Sequence, residues 1–178
     1  MLYKQRKIIS LTLLFLFLPL LVSANPLIAK AILHNKQGRR IGEIKFVQQP
    51  DKEDVEINLK IINLPPGEYA LHIHQNADCD CPQFKCAGGH FNPYNTQHGF
   101  LNKKGPHAGD LPNFRVGKNR VASKSMVTNR ITLENQEQNS LFAVSGTSVV
   151  IHKNPDDYYT NPAGRGGLRL ACGVIKRH

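Results

Sequence analysis

Six of the eight histidines fall between positions 72 and 152, at spacings suited to metal ligation. His72-Ile73-His74 ends an apolar, alternating run, and Gly88-Gly89-His90 follows. Then come His98, His107 with Asp110 three residues on, and His152 closing the run Val149-Val150-Ile151. Imidazole nitrogen suits zinc, copper, iron and nickel, and a carboxylate oxygen can complete a zinc tetrahedron. There are ligands here for two ions. His72 and His74, two apart on an expected strand, project from one face. Two glycines before His90 let the backbone approach closely and aim its ring. With His152 these rings offer a nitrogen-only site tending toward square geometry, which favours copper. His90, His98, His107 and Asp110 form a closed tetrahedral set with no corner left for water, as structural zinc requires. His90 is common to both sets, and two neighbouring cations would let its ring lose the N–H proton and bridge them. No carboxylate is placed as a general base and neither set keeps an obvious metal-bound water, which argues against a metal hydrolase.

The elements that must position these ligands read as strands. Short β-type runs at 27–33, 40–47, 55–62 and 69–74 are separated by turn residues around 35–38, 49–52 and 63–67. Val55-Glu56-Ile57-Asn58-Leu59-Lys60-Ile61 alternates apolar and polar side chains, which implies one dry face and one wet one. Strands resume at 125–133, 148–152 and 168–175, and no segment carries a helix-length apolar stripe. Between 75 and 112 the pattern fails among Gly, Pro, Asn, Asp and Cys. A loop of that length inside a compact domain needs pins, and metal ligands with a disulfide would supply them. The expected architecture is a small antiparallel sandwich or barrel with large functional loops.

Residues 1–24 read as a secretory signal: a basic head of Lys4, Arg6 and Lys7, an apolar run broken by Pro19, and the cleavage pattern Val22-Ser23-Ala24. Residues 25–178 are then one domain, long enough to bury a core. The formal charge of +10 falls to +7 once the three basic residues of that leader are discounted. Lysines and arginines are scattered and few aromatics interleave with them, which argues against nucleic acid and suits an anionic surface or small anion. Four cysteines in an exported chain suggest disulfides. Counting alone leaves three connectivities open for Cys79, Cys81, Cys86 and Cys172.

In order along the chain, His72-Ile73-His74, Cys79, Gly88-Gly89-His90-Phe91-Asn92-Pro93, His98, Gly105-Pro106-His107-Ala108-Gly109-Asp110-Leu111 and His152 resemble the copper–zinc superoxide dismutases, bacterial periplasmic branch. Gly167-Leu168-Arg169-Leu170-Ala171-Cys172-Gly173-Val174-Ile175 completes the match over essentially all of residues 25–178. The resemblance implies an all-β fold, a flattened eight-stranded Greek-key β-barrel whose long loops hold the metals outside it. It implies copper on His72, His74, His90 and His152, zinc on His90, His98, His107 and Asp110, and a Cys79–Cys172 disulfide. Asp156 matches the carboxylate that links His72 to His98, with Asp157 its nearest competitor. Arg169 would dock the anion and His90 would serve as the proton-carrying bridge while two superoxide ions become dioxygen and hydrogen peroxide. Lys103, Lys104, Lys153 and Arg165 flank proposed ligands and are candidates for steering a monoanion, an attraction that salt weakens.

Cys81 and Cys86 depart from the family pattern. A local bridge between them would stiffen the segment that presents His90; free thiols, a redox or metal-loading handle, or pairing with another chain are the alternatives. His34 and His178 match no ligand and read as exposed bystanders, and the pattern gives Tyr158 and Tyr159 no role. Relatives of this type include monomers and dimers, so a homodimer stays open. After signal cleavage the expected location is the periplasm, with no membrane attachment. The competing function is a non-catalytic copper or zinc carrier of the same fold, for which Arg169 would be superfluous.

Overall fold

The computed structural model describes residues 24–143 and 145–178; residues 1–23, where the export signal is expected, lie outside them. Among the described residues eight antiparallel strands form one sheet: β1 (Leu27–Asn35), β2 (Arg40–Gln48), β3 (Val55–Ile61), β4 (Gly67–His74), β5 (Asp110–Val116), β6 (Ala122–Thr128), β7 (Ser148–His152) and β8 (Arg169–Arg177). Their order is β5-β4-β7-β8-β1-β2-β3-β6. The first three strands meander, and the chain then crosses to β4 and later back to β7, as in a Greek key. The sheet curls into a nearly closed barrel. Its two edge strands, β5 and β6, face each other across a seam that the Lys124 ammonium of β6 bridges by donating to the Asn113 carbonyl of β5.

Alternation along the strands builds the core. Ala29, Ala31 and Leu33 of β1, Ile44 and Phe46 of β2, and Val55, Ile57, Leu59 and Ile61 of β3 point inward and are buried. Leu71 and Ile73 of β4 and Val149 and Ile151 of β7 join them. On those last two strands the outward side chains, His72, His74, Val150 and His152, are buried as well, because long loops fold over the barrel wall. The ligands therefore sit outside the apolar core, on the loop-covered face.

Two strands differ from the sequence expectation. β5 falls at the end of the stretch read as patternless, since Asp110, Pro112 and Asn113 look like turn residues. As an edge strand it tolerates Pro112, whose missing N–H would break a central ladder. A register shift opposite Tyr69 and Leu71 lets Leu111 and Phe114 both face the core. β6 starts at Ala122 and stops at Thr128, not at 125 and 133. Ile131 and Leu133 beyond it are buried from a loop, which the Gln48 side chain secures by accepting from the Thr132 hydroxyl and the Leu133 N–H. Among the described residues no helix is long and apolar enough to cross a membrane.

Candidate metal centre

Four neighbouring strands, β5-β4-β7-β8, bring the site together. β4 supplies His72 and His74, β7 ends at His152, β5 begins at Asp110, and β8 begins at Arg169, opposite His152. His90 comes from the long loop, pinned along β4: Gln75 N–H donates to Gly89 O (3.0 Å) and Phe91 N–H to Ile73 O (2.8 Å). One ring nitrogen each from His72, His74, His90 and His152 lies within 4.8 Å of the others, and all four residues are buried.

Hydrogen-bond accounting fixes what these rings present. A neutral imidazole carries one N–H and one lone pair. His72 donates from Nε2 to Asp156 Oδ2 (2.8 Å), which leaves Nδ1 as the lone pair. His74 donates from Nδ1 to Gly88 O (3.0 Å) and His152 from Nδ1 to Gly167 O (3.4 Å), which leaves both Nε2 atoms bare. Those two nitrogens lie 3.2 Å apart, so lone pair faces lone pair. His90 directs Nδ1 at Asp110 Oδ1 (2.9 Å), and its buried Nε2, like His72 Nδ1, has no partner. Four lone pairs converging in a buried nest are repulsive unless a cation lies among them. The donor set fits copper.

The second cluster centres on Asp110. Oδ1 lies 2.9 Å from His90 Nδ1, 3.1 Å from His98 Nδ1 and 3.3 Å from His107 Nδ1. With zinc–nitrogen bonds of about 2.0–2.1 Å, neighbouring corners of a tetrahedron are roughly 3.3 Å apart, so this spacing fits a zinc cage. The other oxygen, Oδ2, accepts the backbone N–H groups of Gly99 (2.9 Å) and His107 (3.0 Å), which fixes the carboxylate. His72 also lies within reach of His90, His98 and Asp110. Its Nε2 is engaged by Asp156 and its Nδ1 faces the other nest, so His107 is the better fourth member.

Asp156 ties the clusters together. Its Oδ2 accepts from His72 and its Oδ1 from His98 Nε2–H (2.9 Å) and Tyr158 N–H (2.7 Å). Asp157 instead is exposed, accepts from Thr160 and Tyr159, and touches neither ring. Asn113 brackets the Asp156 backbone, donating from its amide to Asp156 O and accepting from Asp156 N–H, both at 2.9 Å. Tyr158 accepts the Asn113 N–H at its hydroxyl (2.7 Å), which gives that tyrosine a purpose; Tyr159 is exposed and makes no such contact. At Gly164 any Cβ would overlap Asp156 Oδ1 and His98 Nε2. Asn113 and Gly164 carried no signal in the sequence, since both lie in stretches that read as turns.

Electrostatics follows from burial and these partners. Burial lowers the His72 and His74 pKa values, opposed by Asp156 at His72 and reinforced at His74 by His90 and His152. His90 is lowered to about 4 and His152 to about 3, mainly by burial and then by His72. His98 goes the other way: burial opposes its charge, but hydrogen bonds to Asp110 and Asp156 outweigh it and raise it to about 9. Burial pushes the Asp110 and Asp156 carboxyls up, yet their imidazole partners prevail and hold both well below the usual carboxylate range.

The structure pairs Cys79 with Cys172 and Cys81 with Cys86, each with Cα atoms 5.7 Å apart. The first disulfide spans 93 residues and ties the His90 loop to β8. Arg169 donates to Phe84 O and Gly88 O, both at 2.6 Å, and no neighbouring carboxylate perturbs it. Arg165 lies 3.7 Å from Asp157 as an exposed pair. His178 accepts from Lys30 at 2.8 Å on the surface, away from both clusters.

An antiparallel barrel with two adjoining imidazole nests on its loop-covered wall defines a two-ion metalloprotein. A family profile described as copper/zinc superoxide dismutase matches residues 40–175. "Superoxide dismutase [Cu-Zn] 1" of Aquifex aeolicus is 44% identical over 154 residues, 86% of this chain and 90% of that protein. "Superoxide dismutase [Cu-Zn]" of Caulobacter vibrioides is 35% identical over 150 residues, 83% of this chain and 85% of that one. The crystal structure of a double mutant of a SOD-like protein from Bacillus subtilis superimposes with a TM-score of 0.77 at 37% identity, covering 82% of this chain and 95% of that chain. The chain belongs to the copper/zinc superoxide dismutase family. It is accordingly an oxidoreductase acting on superoxide, with copper and zinc as its cofactors.

Proposed function

We propose that His72 Nδ1 and the Nε2 atoms of His74, His90 and His152 hold copper, and that the Nδ1 atoms of His90, His98 and His107 with Asp110 hold zinc. The observation that carries this reading is the convergence of four bare ring nitrogens in one buried nest. When bound, copper supplies the one-electron exchange that no side chain here offers, and zinc supplies redox-inert positive charge. The chain's own residues do the rest. Arg169, a fixed fork of donors that stays ionised, docks the monoanion beside the His74 and His152 rings. His90 takes a proton at Nε2 and gives it up again, supplying one of the two protons that hydrogen peroxide requires. Asp156 holds His72 and His98 in the tautomers that leave their ligand nitrogens bare.

Residues 1–24 direct export and the working chain begins at residue 25, in an oxidising compartment such as the periplasm, where both disulfides persist. A non-catalytic carrier is the less favoured reading, because it leaves Arg169 beside the nest without a use. Metal analysis with a superoxide assay, before and after selective copper removal, tests the proposal. One copper and one zinc per chain, with activity lost on copper removal and regained on restoration, is the expected result. A copper-loaded protein that leaves superoxide untouched would refute it.

A further inference from the structure

The loop that presents Phe84 O and Gly88 O to Arg169 contains a closed ring of its own. Cys81 joins Cys86, which lies within Pro82–Ala87, a short 3-10 segment broken by left-handed backbone at Gln83 (φ 60°, ψ 19°) and Phe84 (φ 57°, ψ 29°). Two successive side-chain-bearing residues in that region are disfavoured, and a bulky phenylalanine especially so. Such a conformation persists only where its surroundings over-determine it. Here two features do so. The disulfide closes the segment on either side, and the Phe84 ring is buried against Ala87, Val150 and Cys172 on the outer wall of β7 and β8. Within that cramped ring the Phe84 carbonyl is turned toward the Arg169 Nη1, while Gly88, just past it, takes Nη2. Gly88 O also accepts the His74 Nδ1–H, so the segment touches a ligand ring and the docking guanidinium at once.

We infer that the Cys81–Cys86 bridge and the Phe84 plug form a strap whose task is to position Arg169 for the superoxide anion. Phe84 is a positioning residue, acting through its backbone carbonyl while its ring anchors the turn. The Cys79–Cys172 bridge sets how far the loop lies from β8. The smaller ring sets the direction of the Phe84 carbonyl, and so the rotation of one guanidinium. Opened, the turn can relax toward ordinary backbone angles and carry the Phe84 carbonyl away, leaving Arg169 one anchor in place of two. Substrate docking would weaken, whereas the ring nitrogens of His72, His90 and His152 keep partners that do not involve the strap. The inference rests on Arg169 docking the substrate.

The test uses the metal-loaded chain with Cys81→Ser/Cys86→Ser, Arg169→Ala and all three changes combined. A loosened guanidinium should reduce kcat/KM and azide affinity by roughly 3- to 10-fold, in line with the sensitivity of catalysis to small misplacements. Copper and zinc content should hold. The same loss should vanish in the Arg169→Ala background, since two changes acting through one group are not additive. Separately, protein loaded with zinc and diamagnetic copper(I) should show distinct Arg169 Nη1 and Nη2 resonances in nitrogen-15 spectra, merging by free rotation once the serines replace the cysteines. Phe84→Leu, which keeps an apolar plug, should retain most of the activity. If the strap variant matches the parent in azide affinity and guanidinium rotation while Arg169→Ala is slow, the strap proposal falls alone. If the strap loss persists in the Arg169→Ala background, the strap serves general loop stability and positioning is wrong. If Arg169→Ala itself dismutes superoxide at the parent rate, the docking reading fails and takes this one with it.

Discussion

Replacing Asp156 with asparagine changes a single atom, yet it should weaken copper more than zinc. Both histidines facing Asp156 donate to it, His72 Nε2–H to Oδ2 and His98 Nε2–H to Oδ1, and Tyr158 N–H also donates to Oδ1. An asparagine side chain keeps one acceptor oxygen and acquires an NH2 donor. Two donors already converge on the Oδ1 position, so the oxygen stays there and the NH2 faces His72. That donor-to-donor contact is relieved only if His72 moves its proton to Nδ1, the nitrogen proposed to meet copper. A buried donor without a partner costs about 1–3 kcal/mol, and loss of an orienting carboxylate typically costs 10–100-fold in metal affinity. Because every 1.4 kcal/mol is tenfold, the two figures agree at about 1.4–2.8 kcal/mol. Competition titration against a chromophoric chelator should give a 10–100-fold weaker copper constant and a zinc constant changed by much less. Asp157→Asn is the control, since its carboxylate is exposed and meets only loop donors. Copper affinity within about threefold of the parent, or a zinc loss larger than the copper loss, would refute the tautomer argument.

Three further outcomes follow from the same geometry. His98, raised to about 9, carries a proton at neutral pH in the metal-free chain, so zinc uptake at Nδ1 should release about one proton; calorimetry in two buffers of different ionisation enthalpy measures it, and zero release contradicts the assignment. The metal-free protein should be most stable near pH 6.5. His90 and His152 have folded values of about 4 and 3, below the unfolded 6.5, so the unfolded chain takes up protons first and stability falls as pH drops from about 6.5 toward 3. His98 has the opposite sign, giving stability below 6.5 that is lost as pH rises through 9; urea midpoints that do not fall on both sides would contradict this pairing of signs. Replacing Cys79 and Cys172 with serine opens a loop of 93 residues, worth about 4–5 kcal/mol in the chain-entropy model before native strain is subtracted; an unchanged urea midpoint would exclude that contribution.

The candidate ligands that converge in the structure were legible in the sequence because ligand chemistry demands particular residue types, and here they recur in long motifs around His72, His90 and His107. Most of the barrel was legible because alternation such as that of 55–61 has no other physical reading. What escaped was structure whose cause lies in tertiary context. β5 escaped because Pro112 and Asn113 are turn residues by propensity, and only an edge position makes them acceptable in a strand. Ile131 and Leu133 looked like strand because burial alone shapes their composition, and a loop reaching over the barrel end needs apolar side chains just as a strand does. Asn113 and Gly164 serve Asp156 from stretches 43 residues before it and eight after it in numbering, and nothing local marks either role.

The position of the site outside the apolar core has a consequence for order without metal. The inner faces of β1, β2 and β3 are filled by Ala31, Leu33, Ile44, Phe46, Ile57 and Leu59, none of which depends on an ion. The covering loops are different. Their packing over β4 and β7 presses the bare His90 Nε2, carried by the loop, against the bare nitrogens of His72, His74 and His152. Metal removal therefore leaves an unfavourable cluster that only loop opening relieves, while the barrel loses nothing. Local stability in proteins varies by segment, with loops opening well below the global unfolding energy. Hydrogen exchange on metal-free protein should show faster exchange at Gln75, Phe91 and Ile73, whose N–H groups donate across the contact between the loop and the end of β4. Amides of β1 to β3 should keep their protection. The Cys79–Cys172 bridge limits how far the loop can move, so exchange near residue 79 should rise less than exchange near residues 98 to 107. Uniform loss of protection across the barrel would mean that core and site are one cooperative unit, and the separation drawn from burial would be wrong.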